Sequence, residues 1–290
     1  MGYDTLNEPS SGYIGVANLA DFPSNQILKS QQAPTPFQSM VLGAGNPVVV
    51  DYWQRSLLGL KKTGEVLVNQ ERVSAWKEGH SCVWARHGVW DPQTLQLLQP
   101  RYFSQKADGT PHHFLEDFWL PFVNKYSQAI REAHPGAAMF VEPSVNEEPP
   151  LWGENDVKGP LVYAPHWYDG LTLYNKTFAM FNLNILAISR GTSSPFGTIR
   201  VGDRSIETGF IEQLAFIKRE GLEMVGRHPC VIGETGIPFD MDDKHAYKTG
   251  DYSKHIRAMN ATMRAMESNL LAFTIWNYCS DNTELRGDQW

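Results

Sequence analysis

From residue 115 onward the chain repeats one pattern: a short, almost wholly apolar run, a polar turn, then an amphipathic stretch. The apolar runs are Ala138–Val141, Leu161–Ala164, Cys230–Gly233 and Leu271–Ile275. Each is strand-length and lacks a polar alternate, so it reads as a strand buried on both faces. Ahead of them and between them, Leu115–Ala133, Glu207–Val225 and Tyr252–Ser268 carry apolar residues at helical spacing. Phe118, Phe122, Tyr126 and Ile130 mark the inner face of the first helix, and His134-Pro135-Gly136 ends it. Gly2–Leu6 reads as one more strand, stopped by Pro9 because proline has no N–H for the ladder. Apolar strands alternating with helices predict an α/β fold, a parallel sheet with helices outside it.

The residues just past the strands narrow the reading further. Asn7 and Glu8 stand after the first, Glu142 after the second, His166 and Tyr168 after the third, Glu234 after the fourth and Trp276 after the fifth. Barrels of the (β/α)₈ kind gather their active sites at that C-terminal rim. Two glutamates on one rim are suited to cleaving a glycosidic bond. One protonates the departing oxygen, and the other attacks the anomeric carbon or activates water. Glu8 and Glu234 are the candidate pair, and a separation of about 5 Å would make the reaction retaining. Glu142 competes, but its expected role is that of a rim residue capping a turn or binding an arginine. His112-His113 has no neighbouring Cys or carboxylate cluster and carries no metal expectation.

Residues 10–110 interrupt this rhythm. They are rich in Gly, Pro, Gln and Ser at first and then alternate, as in Val48–Trp53 and Cys82–Ala85. They read as an insertion with a few short strands, and an ordered connection this long is usually functional. The net charge of -7 and the absence of a Lys/Arg run argue against a nucleic-acid partner. Three widely spaced cysteines make neither a disulfide framework nor a zinc pattern. The expected location is cytoplasmic or vacuolar. No transmembrane run and no signal peptide are read.

The motifs resemble a known family. Tyr3-Asp4-Thr5-Leu6-Asn7-Glu8-Pro9 with Gly12-Tyr13-Ile14-Gly15 resembles the strand-four segment of glycoside hydrolase family 5 (clan A). Within it, the chain looks like the fungal steryl β-glucosidase and glucosylceramidase branch, relatives of the endoglycoceramidases. Pro165–Asp169 resembles that branch's strand six, Ile232–Pro238 its strand seven, and Trp276-Asn277-Tyr278 its strand eight. His87–Asp91 within the insertion is also typical of it. The resemblance implies a partial (β/α)₈ barrel over 1–290, about strands four to eight, interrupted by the insertion. Complete members supply three strands ahead of this segment and a β-sandwich domain after it.

The resemblance also implies roles. Glu8 is the expected acid/base and Glu234 the nucleophile of a retaining β-glucosidase. Asn7 would bind the sugar 2-hydroxyl, Tyr168 would orient Glu234, His166 would lie beside the acid/base, and Trp276 would floor the glucose subsite. No cofactor or metal is implied. The implied substrate is a lipid-linked glucoside, ergosteryl β-glucoside first and glucosylceramide second, with peripheral membrane contact. The rival readings are a β-glucanase of the same family and an inactive glycolipid-binding fragment. The expected partner, if encoded separately, is the missing barrel half.

Overall fold

The structure, a computed structural model, describes residues 2–23, 29, 31–56, 59–277 and 279–280. The chain divides into two compact units, Met1–Ser10 with Leu115–Trp290, and Ser11–Phe114. The first strand, β1 (Gly2–Asp4), belongs to the former.

The Ser11–Phe114 unit holds β2 (Gln31–Ala33), α1 (Pro36–Gly43), β3 (Val48–Ser56), β4 (Gly59–Val68), α2 (Val83–Arg86), β5 (Trp90–Asp91) and β6 (Gln96–Leu97). Strands β2, β3 and β4 form an antiparallel sheet. Two of them are longer than the few short strands expected, because the Val/Tyr/Trp alternation of Val48–Trp53 continues into a full hairpin. Thr35 and Gln38 form a reciprocal capping box that starts α1. Leu19, Met40, Val41, Cys82, Val89 and Trp90 bury its core. The alternating run Cys82–Ala85 is the N-terminus of a helical turn, not a strand. Four residues are too few for periodicity to separate the two. The Trp84 ring packs edge-on against Phe103 at 4.9 Å, and that contact decides it.

The other unit continues with a π-turn at Leu115–Trp119, α3 (Leu120–Ala133), β7 (Ala138–Val141), β8 (Leu161–Tyr163) and α4 (Gly170–Asn175). Next come β9 (Phe181–Asn182), α5 (Ile185–Ser189), β10 (Arg200–Val201) and α6 (Asp203–Met224). It closes with β11 (Val231–Thr235), α7 (Met241–Thr249), α8 (Ser253–Ser268) and β12 (Ala272–Ile275). Parallel pairing joins β1 to β7, β7 to β8, and β11 to β12. The Tyr163–Cys230 and His166–Glu234 bridges join β8 to β11, also in parallel. The five strands thus stand side by side in chain order, each pairing parallel with the next.

The inner face of α3 differs from expectation. Trp119, Val123 and Ser127 are buried, whereas Phe118 and Phe122 are 41% and 39% exposed. The π-turn takes an extra residue per turn and shifts the register of the helix by one. Phe122 and Tyr126 instead associate with each other, rings 5.8 Å apart. Helix α6 starts at Asp203, four residues before the predicted Glu207. Ile206 extends its buried face of Phe210, Leu214 and Ile217 backwards through a polar stretch. Gly221 lets α6 lie close on the sheet, because a Cβ there would sit 2.4 Å from the Tyr163 ring.

Candidate active site

Strand β1 ends at Asp4, and Thr5 extends its pairing with an N–H bond to the Phe140 carbonyl at 3.1 Å. The chain then turns through Asn7 and Glu8. Glu8 takes a left-handed backbone, φ 43°. A non-glycine residue held there costs about 1 kcal/mol or more, so something must hold it. Its N–H donates to Glu142 Oε1 at 3.0 Å. Glu142 lies one residue beyond β7, and the Trp119 indole donates to its carbonyl at 2.9 Å.

Beyond β8 the period of an extended chain puts His166 and Tyr168 on one side and Trp167 and Asp169 on the other. Trp167 packs edge-on against Phe210 of α6 at 5.2 Å. Buried Asp169 accepts the Leu171 and Thr172 N–H groups at the start of α4, and the Asn182 amide at 2.7 Å. With that side anchored, the other is fixed. The Tyr168 hydroxyl donates to Glu234 Oε1 at 2.6 Å. His166 Nδ1 lies 3.0 Å from Glu8 Oε1, 3.2 Å from Glu142 Oε1 and 3.9 Å from Glu234 Oε2. Glu234 falls inside β11, one residue beyond the predicted strand end, where a register shift against β12 redirects the chain. Gly233 leaves room for the imidazole, since a Cβ there would meet the ring at 3.3 Å and the Ala164 carbonyl at 2.9 Å.

The four groups differ steeply in exposure. Side chains are 43% exposed for Glu8 and 17% for Glu234, but 4% for His166 and 1% for Glu142. Burial pushes the Glu142 carboxyl up to about 8, against smaller opposing effects of His166 and the Glu8 N–H. Burial alone would pull His166 down, yet the Glu8, Glu142 and Glu234 carboxyls together hold it above its ordinary value. Both shifts mean that the folded cluster grips protons more tightly than the unfolded chain. Their contribution to stability is therefore full below pH 4.5 and declines as pH rises toward 8. Glu142→Gln should remove the carboxyl's share. Urea midpoints of variant and parent are expected to diverge between pH 4.5 and 8 in favour of the variant, and to stay parallel above that.

Of the residues singled out from sequence, Glu8, His166, Tyr168 and Glu234 come together. Asn7 and Trp276 stand at the same strand ends, but both side chains are exposed, and neither is hydrogen-bonded into the cluster among the described residues. Trp276 is tied through its backbone N–H to the Thr235 carbonyl at 2.8 Å. Tyr278 lies outside the described residues. Glu142 pairs with no arginine among the described residues; of its two expected roles it takes the other, capping the turn at Glu8, and does so fully buried. It is the residue sequence reasoning undervalued, because its place at a strand end did not show how deeply it is buried.

Glu8, His166 and Glu234 each present one atom within 4.8 Å of the others, close enough to suggest a cation. A metal would need the Nδ1 lone pair free. Nδ1 here faces two carboxyl oxygens within 3.2 Å, an arrangement built around a shared proton. The donor set suits proton handling, and its two outer carboxylates suit attack and protonation on opposite sides of one bond.

No family model matches the chain. The curated relatives do. Over its full length the chain is 36% identical to a glucosylceramidase of Aspergillus fumigatus and 32% identical to an ergosteryl-beta-glucosidase of Saccharomyces cerevisiae. Among solved structures it matches Cryptococcus neoformans sterylglucosidase 1 over its whole length, with a TM-score of 0.92 at 34% identity. The chain is a relative of the fungal steryl β-glucosidases and glucosylceramidases. These relatives are of the steryl β-glucosidase and glucosylceramidase branch that the motifs resemble. The chain spans 42% and 41% of the length of these two curated relatives and 44% of the crystallised sterylglucosidase.

Proposed function

We propose that the chain carries the acid/base and nucleophile of a retaining β-glucosidase acting on a lipid-linked glucoside, a steryl glucoside first and glucosylceramide second. The observation that carries this reading is the approach of the Glu8 and Glu234 carboxyl oxygens to within 4.8 Å. A gap of that size leaves no room for an intervening water and fits direct attack. In the first step a Glu234 oxygen bonds to the anomeric carbon as the bond to the aglycone breaks. Glu8 gives its proton to the departing oxygen. In the second step water attacks the same carbon, Glu8 takes the water's proton, and Glu234 leaves as a carboxylate. Tyr168 holds the nucleophile throughout. Asn7 and Trp276 meet the sugar, the first at its 2-hydroxyl and the second beneath its ring.

The five parallel strands are, in this proposal, about strands four to eight of a (β/α)₈ barrel, with the insertion placed after the first of them. The glucosylceramidase and ergosteryl-beta-glucosidase activities for which the relatives are named support the lipid-linked substrate. Among the described residues no helix is long and apolar enough to cross a membrane. Contact with a lipid surface would therefore be peripheral if helices alone make it.

The test is covalent trapping. A 2-deoxy-2-fluoro-β-glucoside with an activated leaving group forms the glycosyl ester but slows its hydrolysis. Mass spectrometry of the digested protein is expected to find one fluoroglucosyl group on the peptide bearing Glu234. A label on any other carboxylate sinks the assignment.

A further inference from the structure

Resting on that reading of Glu8 as acid/base, we propose that Glu142 is a positioning residue for proton donation: its buried carboxyl fixes both the backbone and the hydrogen-bonding partner of Glu8.

Glu142 touches Glu8 by two routes. Directly, Oε1 accepts the Glu8 N–H at 3.0 Å and so holds the left-handed turn at φ 43°. Indirectly, the same oxygen stands 3.2 Å from His166 Nδ1, the atom that contacts Glu8 Oε1 at 3.0 Å. The second carboxyl oxygen, Oε2, is buried without a hydrogen-bond partner among the described residues. A carboxylate left with a naked buried oxygen is costly, whereas a protonated carboxyl carries its hydrogen there and its acceptor capacity at Oε1. The upward push of burial on this group agrees. A neutral carboxyl at this point has a clear use. It accepts from the Glu8 peptide and faces the imidazole at 3.2 Å without adding a third charge between Glu8 and Glu234. The hydrogen bond of His166 Nδ1 is to the more exposed Glu8, and it strengthens when that carboxylate is ionised. The turn that aims Glu8 and the proton that stabilises its charged form are thus set by one side chain, itself too deep to touch the sugar.

The experiment compares two leaving groups in the full chain. Phenyl β-glucoside needs a proton on its departing oxygen, whereas 2,4-dinitrophenyl β-glucoside leaves without one. Glu142→Leu removes the acceptor and is expected to lower kcat/KM for the phenyl substrate about 100-fold, the scale of a misaimed catalytic group. The dinitrophenyl substrate should lose only a few-fold. Glu142→Gln keeps an acceptor oxygen and the shape. It should restore the phenyl rate to within about threefold, in line with a retained neutral hydrogen bond. Equal losses on both substrates, or a Gln variant as damaged as the Leu variant, would overturn the proposal. If the parent chain turns over neither glucoside, the glucosidase reading fails for this chain. The positioning contact is then judged by the Glu8 amide resonance. It should lie downfield in the parent, keep that position in Glu142→Gln at the same pH, and shift upfield in Glu142→Leu. An amide indifferent to all three would overturn the contact itself.

Discussion

Replacing Glu234 by Gln is expected to cut β-glucoside turnover by on the order of 10⁴-fold or more, the scale seen when a covalent nucleophile is removed. The amide keeps the volume of the carboxylate and still accepts from Tyr168, whose hydroxyl lies 2.6 Å from Oε1. On the proposed mechanism, what disappears is the negative charge that would bond to the anomeric carbon and answer the cationic character developing there. Affinity for an uncharged glucoside should change far less than kcat, because the lost interaction is strongest in the transition state. Steady-state kinetics with an aryl β-glucoside, alongside a thermal melt to confirm folding, gives the answer. Turnover within about tenfold of the parent would exclude Glu234 as nucleophile.

The largest effect on stability is expected away from the site, at Arg190. Its guanidinium makes a bidentate pair with Glu220 at 2.5 and 3.0 Å, and its Nε donates to the Asn146 carbonyl. The side chains are only 13% and 5% exposed. Burial pushes the Glu220 carboxyl up, and Arg190 is the group that opposes it. Arg190→Ala therefore leaves a buried carboxyl without its counter-charge on α6, the helix that backs β8. A loss of about 3 kcal/mol is expected from urea denaturation. Replacing both residues by leucine should cost clearly less, because no orphaned charge remains. If single and double variants lose the same amount, the pair is not what stabilises this junction.

Much of the fold is legible in the residues alone. The runs Ala138–Val141 and Leu271–Ile275 read as strands from their place in the strand–helix alternation, and their bounds agree with β7 and β12 to within a residue. Chemistry after each strand is equally plain, since Glu8, His166, Tyr168 and Glu234 converge. Three things are hidden, each for a physical reason. The face of α3 escapes because a π-turn breaks the 3.6 period on which helical spacing rests. Helices α4, α5 and α7 are short, and α7 is interrupted by left-handed residues at Asp242, Asp243 and Lys244, so no periodicity develops. Glu142 escapes because a glutamate at a strand end looks alike whether it meets solvent or, as here, is completely enclosed. Depth is a property of what closes over a residue, and that closure comes from Trp119 and His166, distant in sequence.

The order of the five parallel strands has a geometric consequence for the two outer carboxylates. Glu8 lies just past β1 and Glu234 ends β11, so three inter-strand steps separate them. On a flat sheet that is about 14 Å. Their carboxyl oxygens nevertheless stand within 4.8 Å. Curvature of the sheet, added to the reach of two side chains, makes up the difference, much as a concave mirror brings separated rays to a focus. The focal length is set from behind, by how closely α6 seats on β8 across Gly221. A change that flattens the arc by a few degrees at that remote contact would open the gap at the rim. The distance between the two carboxylates is therefore as much a measure of helix seating as a property of the glutamates themselves.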